Sequence, residues 1–305
     1  MCRSEILSLM PERIQRIIEK SIKNEKELQE IRIRKRQPLV LQYQGELIVP
    51  DCQGQVVTEQ EFREILSRIS RNSLYAFEEE IRKGYLTIPG GHRIGLTGYT
   101  VLENENVKTM RYLSFLNIRL SHELPGCADR LMPYVMKEDR FLSTLIVSPP
   151  GGGKTTLLRD MVRQLATGGE NFRVRNVSVV DERSEIAGCY MGIPQRQVGP
   201  CCDVVDACPK AVGIMMVIRS MAPEVVEVDE VGTKEDIEAM RYALTSGCSL
   251  LATIHGSSLG QMKKKPNLSS ILEGEMFERY IFLGNRKKPG NCQAIYDGKG
   301  NCLWN

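Results

Sequence analysis

The sequence predicts an α/β fold with a mainly parallel sheet in residues 139–305, preceded by a smaller α+β domain in residues 1–138. Three observations support this prediction. After residue 140, short apolar segments alternate with helical ones, with glycine-containing loops between them, as in parallel strands joined by helical crossovers. Before residue 140 the pattern is less regular and includes a glycine-rich stretch suited to tight turns. The 305 residues are long enough for two domains, and the polar segment Lys137–Arg140 offers a boundary.

The composition excludes several classes of protein. Apolar residues make up 42% of the chain and charged residues 26%, which is typical of a soluble globular protein and excludes wholesale disorder. The net charge of +3 gives no electrostatic reason to expect a nucleic-acid binder. No apolar run approaches the roughly 18 residues of a membrane span, and the charged N-terminus does not resemble a secretory signal. We therefore expect a cytoplasmic protein.

Basic residues are concentrated at both ends of the chain. They outnumber acidic residues in residues 1–36 and 263–305, whereas the segment between is mildly acidic. Two local runs, Arg32–Arg36 and Lys263–Lys265, fit either solvated surfaces or contacts with acidic partners or an anionic membrane surface. The sequence leaves these alternatives open, so membrane association is expected to be peripheral at most.

The first domain is predicted to combine strands with one helix. Ile31–Leu41 and Gln44–Val49 have strand character, with a turn between them. Glu59–Ser70 is predicted to be helical because its apolar residues fall on one face and Thr58 precedes it as a cap. The glycine-rich segment Gly84–Gly98 suits short strands joined by tight turns.

The second domain is predicted to contain four buried strands and three helices. The strands are Leu142–Val147, Val177–Val180, Val225–Val228 and Leu250–Ile254. The helices are Thr155–Ala166, Asp206–Met221 and Lys234–Ser246. The last helix has a capping-box-like start at Thr233 and Asp236 and a glycine, Gly247, after its end.

A glycine-rich motif follows the first of these strands and opens the first helix. Ser148–Thr156 reads Ser-Pro-Pro-Gly-Gly-Gly-Lys-Thr-Thr, in the context that the phosphate-binding loop of a P-loop NTPase of the RecA-like or AAA+ type requires. Ser148 stands where the pattern has a glycine. The glycines let backbone N–H groups turn towards phosphate at the positive end of the helix. We expect Lys154 to reach the β- and γ-phosphate oxygens and Thr155 to hold Mg²⁺. The predicted nucleotide-binding residues are Pro150, Gly151, Gly152, Gly153, Lys154, Thr155 and Thr156.

Two predicted strands end in Asp-Glu. One is followed by Asp229 and Glu230, the Walker B form, in which Asp229 holds Mg²⁺ through water and Glu230 orients the attacking water. Another is followed by Asp181 and Glu182, which would share the same sheet edge and there share the metal or polarise water. The sequence leaves open which pair supplies the catalytic base, and also allows a capping or salt-bridged role for the second pair.

His255 ends the fourth predicted strand, soon after the Walker B residues. At the carboxyl edge of the sheet it would hydrogen-bond the γ-phosphate and sense hydrolysis; a structural role is the alternative. With the P-loop, the Walker B strand, and Arg219 and Pro223 ahead of that strand, it makes the domain resemble the secretion ATPase superfamily. That superfamily comprises the hexameric motors of type II and type IV secretion and of pili. In this resemblance Asp181–Glu182 match its Asp box and Leu251–Gly256 its His box.

The whole chain resembles more specifically the stage III sporulation protein AA family of endospore-forming bacteria. The resemblance covers about residues 25–300, and in the first domain Ile31–Arg34, Gly84–Arg93 and Phe115–Leu120 carry it. It implies an ATPase that uses ATP and Mg²⁺, assembles as a homo-oligomer, expected to be a hexamer, and lies on the mother-cell side of the mother cell–forespore channel. The implied partner is a membrane-embedded channel protein, and the implied role is to energise assembly of the channel or transport through it.

The superfamily resemblance also implies arginines that complete the site. Ring ATPases of this superfamily close the site with arginines from the N-terminal domain, so Arg93, Arg111 and Arg119 are candidate arginine fingers. Arg219, just before the Walker B strand, is a candidate for a nucleotide or intersubunit contact. A structural or surface role is the alternative for each of them.

Two other functions remain open at this stage. A nucleic-acid-dependent RecA-like motor would need a basic groove with aromatic residues, which an aromatic share of 6% and an acidic middle segment do little to support. A nucleotide-switched scaffold with negligible turnover would not need a catalytic glutamate, and the intact Asp229–Glu230 pair argues against it.

Overall fold

The computed structural model divides the chain into two units, Met1–His122 and Glu123–Asn305. The residues that it describes are 6–51, 54–70, 77–258, 260, 271–272, 275–284 and 290–304. The predicted boundary at residue 138 lies inside the second unit, because the segment just before it packs into that unit's core through Ala128, Leu131, Met132 and Val135. The basic run Lys263–Lys265 is outside the described residues.

The first unit is an antiparallel sheet with helices against one face. Its elements are α1 (Glu12–Ser21), β1 (Leu28–Arg34), β2 (Val40–Tyr43), β3 (Glu46–Ile48), α2 (Glu59–Ile69), α3 (Glu78–Lys83), β4 (Tyr85–Ile88), β5 (His92–Glu103) and β6 (Asn106–Arg119). The strand order is β3-β2-β1-β6-β5-β4. Side chains alternate along each strand, so that Ile31 and Ile33 of β1, Ile94 of β5 and Ile118 of β6 face the helices and are fully buried.

The sequence prediction for the first unit is correct in its helix and wrong in one strand. Helix α2 begins at the predicted residue, Glu59, and the predicted cap Thr58 forms a capping box with Glu61. The predicted single strand Ile31–Leu41 is two strands, β1 and β2, which pair antiparallel. The chain reverses between them at Arg36, whose φ of 57° lies in the left-handed region. Helix α1 was not predicted.

The second unit contains an eight-stranded sheet, parallel through most of its width. Its elements are α4 (Met132–Val135), β7 (Met136–Lys137), β8 (Arg140–Phe141), β9 (Thr144–Ser148), α5 (Lys154–Thr167), β10 (Val177–Asp181), β11 (Cys202–Asp206), α6 (Lys210–Ser220), β12 (Val225–Val228), α7 (Lys234–Thr245), β13 (Ser249–His255), β14 (Arg279–Leu283), β15 (Cys292–Asp297) and β16 (Cys302–Trp304). The strand order of the large sheet is β11-β10-β12-β13-β9-β14-β15-β16, and β7 pairs separately with β8. Hydrophobic clusters on both faces bury every residue of β9, β10 and β12, which explains their continuous apolar sequences. The predicted fold class is confirmed.

The predicted helix Asp206–Met221 begins too early. Asp206 ends β11, which pairs in parallel with β10, and α6 starts at Lys210 after Pro209. Proline lacks the N–H group that a helix interior needs, so the helix begins just after it. The sequence also missed β14, β15 and β16, of which β15 and β16 join the sheet antiparallel.

Candidate functional site

The glycine-rich loop connects β9 to α5 at the carboxyl edge of the parallel sheet. Gly151 and Gly153 have positive φ values of 76° and 90°. A Cβ on Gly152 would lie 2.2 Å from the Ser148 hydroxyl oxygen and 2.9 Å from the Gly284 carbonyl oxygen. The loop therefore requires glycine at all three positions, either for its dihedral angles or for lack of space. The Ser148 hydroxyl donates to the Pro149 carbonyl at 2.9 Å, so the residue that departs from the motif supports the loop.

Strand register brings the other predicted groups to the same edge. On β13, His255 pairs with Ser148 at the start of the loop. Val228 of β12 pairs with Ala252, which places Asp229 beside Thr253. The carboxyl ends of parallel strands meet at one edge, where α/β proteins bind ligands. The Walker B residues and His255 thus lie next to the glycine-rich loop.

Lys154 and Thr155 contact the Walker B carboxylates directly. The Lys154 Nζ lies 3.2 Å from Asp229 Oδ1 and 2.8 Å from Glu230 Oε1. The Thr155 hydroxyl donates to Asp229 Oδ2 at 3.3 Å. The Thr253 hydroxyl also donates to Asp229, and its oxygen accepts the Glu230 N–H at 2.9 Å. The first turn of α5 and the end of β12 therefore form one hydrogen-bonded cluster.

Glu230 is held by three cationic or potentially cationic side chains. Besides Lys154, Arg183 Nη1 lies 2.5 Å from Glu230 Oε2, and His255 Nε2 lies 2.7 Å from Oε1. Burial alone would raise the pKa of Glu230, but Lys154, then His255 and Arg183, outweigh that effect and lower the pKa to about 2. Glu230 has a φ of 52°, a strained conformation typical of functional positions.

The second Asp-Glu pair is arranged differently. The Asp181 carboxylate accepts the backbone N–H groups of Glu185, Ile186 and Ala187 at 2.8, 2.9 and 2.9 Å. Its side chain is buried, and burial raises its pKa to about 6 against the lowering effect of these N–H groups. This geometry favours a loop-closing role for Asp181 over the metal-binding role predicted from sequence.

Glu182 points away from the P-loop cations to a partner of its own. Its carboxylate forms an ion pair with Lys210, a buried residue in the first turn of α6. The loop that follows is fixed from the other side by Arg159 of α5, which donates to the Ile186 and Glu185 carbonyls at 2.6 Å each. The catalytic role considered for Glu182 therefore has no support in its contacts.

The residues present fit a bound nucleotide with Mg²⁺. The cradle of Gly151–Gly153 has backbone without side chains where phosphate would approach, and Lys154 supplies a cation beside it. The hydroxyl of Thr155 and the carboxylate of Asp229 are oxygen donors of the kind that Mg²⁺ takes, with phosphate oxygens and waters completing its shell. Within the described ranges, no group of three or more His, Cys, Asp or Glu side chains is placed to hold a metal by itself.

Within the second unit, Arg219 lies away from the glycine-rich loop. Arg219 is in the last turn of α6, which runs back from the carboxyl edge of the sheet to its amino edge. There Asn176, just before β10, donates to the Met221 and Ala222 carbonyls at 2.8 and 3.2 Å. Arg219 is therefore at the opposite edge of the sheet from Lys154 of the same chain. Its predicted contact, with nucleotide or between subunits, stays a prediction.

Arg93, Arg111 and Arg119 all lie on β5 and β6 of the first unit. Arg93 pairs with Arg119 across the two strands, and the Arg93 guanidinium lies 3.5 Å from the centre of the Tyr85 ring. Arg119 lies 3.6 Å from Glu30, and Arg111 is exposed. Their role as arginine fingers stays a prediction.

Four side chains around the site were not found from sequence: Arg159, Arg183, Lys210 and Thr253. Two of them had a positional signal. Arg183 directly follows an Asp-Glu pair at a strand end, and Thr253 precedes His255 by two residues, on the same side of β13. Arg159 and Lys210 resemble ordinary helix-surface residues in the sequence, and only their burial reveals what they hold.

Glu227 interrupts the apolar β12 strand and is completely buried. Among the described residues neither of its carboxylate oxygens has a hydrogen-bond partner. Burial, with the charges of Asp229 and Asp181, raises its pKa well above the usual range of a glutamate.

Comparison with known proteins identifies the family. A family model described as "Sporulation stage III, protein AA" matches residues 1–303. The chain belongs to this family. It is 44% identical over 301 residues to "Stage III sporulation protein AA" of Bacillus subtilis strain 168, covering 98% of this chain and 97% of that protein. A more distant relative of this member of the stage III sporulation protein AA family is "Uncharacterized protein ycf45" of Porphyra purpurea, 31% identical over 161 residues, which are 52% of this chain and 27% of that one.

Solved structures of other proteins share the fold of this chain. The Legionella pneumophila ATPase DotB has a TM-score of 0.59 at 17% identity, covering 89% of this chain and 76% of that one. The pilus retraction motor PilT, solved with bound ADP, has a TM-score of 0.58 at 16% identity, covering 88% and 76%. The chain therefore shares its fold with an ATPase and with a pilus retraction motor, and the family match confirms the predicted resemblance to stage III sporulation protein AA. Within the described residues, no helix has the length and apolar character needed to cross a membrane.

Proposed function

We propose that this chain is a Mg²⁺-dependent ATPase of the secretion-ATPase type. In this proposal, ATP hydrolysis energises assembly of the mother cell–forespore channel during sporulation, or transport through it. The observation that carries the proposal is the convergence of Lys154, Thr155, Asp229, Glu230 and His255 at one edge of the sheet. These are the groups that phosphoryl transfer to water needs: a cation, two oxygen ligands for a metal, a carboxylate and a hydrogen-bonding sensor.

Each side chain has a separate task in this chemistry. Lys154 binds phosphate oxygens and neutralises their charge, while the glycine-loop N–H groups orient them. Thr155 and Asp229 hold Mg²⁺, and the ion when bound neutralises charge on the β- and γ-phosphate oxygens. Glu230 orients the attacking water and accepts its proton. Glu230 can do so only after it leaves Lys154, His255 and Arg183, because with its pKa near 2 it is a weak base.

The wider role rests on the family and on the fold. The family name places the chain in stage III of sporulation, and DotB and PilT are named as an ATPase and as a motor. We propose a homohexamer on the mother-cell side that docks on a membrane-embedded channel protein. Membrane association is then peripheral and indirect.

The test is a steady-state ATPase assay with light scattering on the same samples. We expect Mg²⁺-dependent turnover by the full chain, loss of turnover in Lys154→Ala, and an increase in particle mass with a non-hydrolysable ATP analogue. Lys299→Ala is the matched control, because Lys299 is an exposed lysine in the β15–β16 turn, and it should behave as the parent protein does.

Other outcomes identify the rival functions. Negligible turnover combined with nucleotide-dependent assembly would indicate a scaffold switched by nucleotide. Turnover that single-stranded DNA stimulates, with a steep salt dependence, would indicate a nucleic-acid motor. Equal turnover in Lys154→Ala and the parent protein would contradict the proposed ATPase site.

A further inference from the structure

Arg183 is a cation at the candidate site, and the sequence analysis assigns it no role. It follows the Asp181–Glu182 pair on the loop after β10, yet it does not pair with either residue. Its guanidinium lies 2.5 Å from Glu230, on the carboxylate oxygen opposite the one that Lys154 and His255 contact. Glu230 therefore joins the loops after β10 and β12 through one carboxylate.

Three side chains that contact Glu230 are suited to bind an anion that has more charge and more oxygen atoms than a carboxylate. Lys154 and His255 are both predicted γ-phosphate ligands, and both contact Glu230 within 2.8 Å. Arg183 is the third member of this set. A planar guanidinium with five N–H donors binds phosphate as readily as carboxylate, and binds it at two oxygens.

The Arg183 side chain is able to change partner at little cost while its backbone stays in place. The side chain is 59% exposed, and among the described residues it makes no other ion pair or hydrogen bond. The loop is fixed on both sides of Arg183. The backbone N–H groups of the residues that follow donate to Asp181, and Glu182, which precedes Arg183, pairs with Lys210. A mobile cation on a fixed loop is what an exchange between two anions requires.

We propose that Arg183 is a γ-phosphate ligand supplied within the same chain, which exchanges Glu230 for the γ-phosphate when ATP binds. Together with the transfer of Lys154 and His255 to phosphate oxygens, the exchange frees Glu230 to orient water, so the residue that recognises the third phosphate also takes part in releasing the base. ADP has no γ-phosphate and leaves Arg183 on Glu230. The inference rests on the proposed ATPase function and adds to it a residue that distinguishes ATP from ADP.

The test compares the affinities of two nucleotides by calorimetry, with Mg²⁺ present and no turnover. We expect Arg183→Ala to weaken binding of a non-hydrolysable ATP analogue by about ten- to a hundredfold, the range for a charge-assisted hydrogen bond, and to change ADP affinity less than about twofold. Arg183→Lys should recover part of the loss, because lysine keeps the positive charge but lacks the planar guanidinium that binds two oxygens at once.

A matched control exists at the other edge of the sheet. Arg140 pairs with Glu278 at the same distance, 2.5 Å, and with the same side-chain exposure, 59%. Arg140→Ala should change neither affinity. Equal losses for ADP and the analogue in Arg183→Ala would show a general structural role and overturn the proposal. A gain in analogue affinity in Arg183→Ala would show that Arg183 only holds Glu230 and does not bind the γ-phosphate, and would also overturn the proposal.

The exchange itself is tested in the Glu230→Gln background. There Arg183 has no carboxylate to leave, so Arg183→Ala should cost more analogue affinity than it does in the parent protein. An equal cost in the two backgrounds would contradict the exchange. The proposed function is judged separately: if the parent protein binds ADP and Lys154→Ala does not, the nucleotide site stands whatever Arg183 does, and if the parent protein binds neither nucleotide, both proposals fall.

Discussion

Two strand ends in the same sheet carry the same dipeptide and have different structures. After β12, the carboxylates of Asp229 and Glu230 contact the P-loop residues Lys154 and Thr155. After β10, Asp181 is buried under backbone N–H groups of its own loop, and Glu182 pairs with Lys210.

The difference comes from what each pair has within reach. β12 pairs with β13, whose Thr253 and His255 orient the Walker B carboxylates, and α5 begins beside it. β10 lies one strand further out, and the loop that follows it donates its own backbone N–H groups to the carboxylate of Asp181. An Asp-Glu pair at a strand end therefore indicates only that the two carboxylates lie at the carboxyl edge of the sheet. The neighbours of each carboxylate decide its role.

The largest expected effect separates the two glutamates. Glu230→Gln should lower ATP turnover by about a hundredfold or more while nucleotide still binds, because it removes a proton acceptor. Glu182→Gln should change turnover by less than about threefold. Steady-state kinetics with a binding assay measures both. A larger loss in Glu182→Gln would mean that the second pair supplies the base.

The sequence predicted the location of the candidate site better than the contacts between its side chains. The P-loop, the Walker B strand and His255 are each visible as motifs at strand ends, and parallel strands bring such ends together whatever the details. Arg183 and Lys210 contact carboxylates by virtue of loop geometry, which no local pattern encodes. Likewise, the sequence predicts that a helix begins at Asp206, whereas Asp206 is the last residue of β11, whose structure is decided by its pairing with β10.

The next largest effect separates the two aspartates. Asp181→Asn should lower the free energy of unfolding by about 2 kcal/mol, because an amide nitrogen then faces a backbone N–H group. It should leave the Mg²⁺ dependence of nucleotide affinity unchanged. Urea denaturation and calorimetry test the two parts. Loss of Mg²⁺ dependence in Asp181→Asn would restore its predicted role as a metal ligand.

Asp229→Asn is the partner experiment. Its neighbours are a lysine and two threonine hydroxyls, which are able to donate to the single remaining oxygen. We expect stability within about 1 kcal/mol of the parent protein and a clear loss of the Mg²⁺-dependent part of nucleotide binding. A stability loss as large as that of Asp181→Asn, with Mg²⁺ dependence retained, would reverse the assignment.

Glu227, on the same strand as the Walker B pair, gives a prediction that depends on pH. Its pKa in the folded protein is raised above the unfolded value, so its contribution to stability is present below the unfolded pKa and is lost as the pH rises towards the folded one. Glu227→Gln does not titrate. Its stability relative to the parent protein should rise with pH above about 5, by at most about 1.4 kcal/mol per pH unit. Urea denaturation in EDTA without nucleotide measures this, and a pH-independent difference would show that Glu227 is not protonated on folding.

The smallest expected effect concerns the pair that holds Glu182. A double-mutant cycle of Glu182→Ala and Lys210→Ala should give a coupling energy of about 0.5–1 kcal/mol, because the Glu182 side chain is 40% exposed and solvent screens the pair. Neither substitution should alter the ratio of ATP-analogue to ADP affinity, which the exchange at Arg183 would set. If the cycle shows no coupling and Glu182→Ala changes that ratio, then Glu182 acts on the nucleotide, and the two strand ends share the chemistry that the structure assigns to one of them.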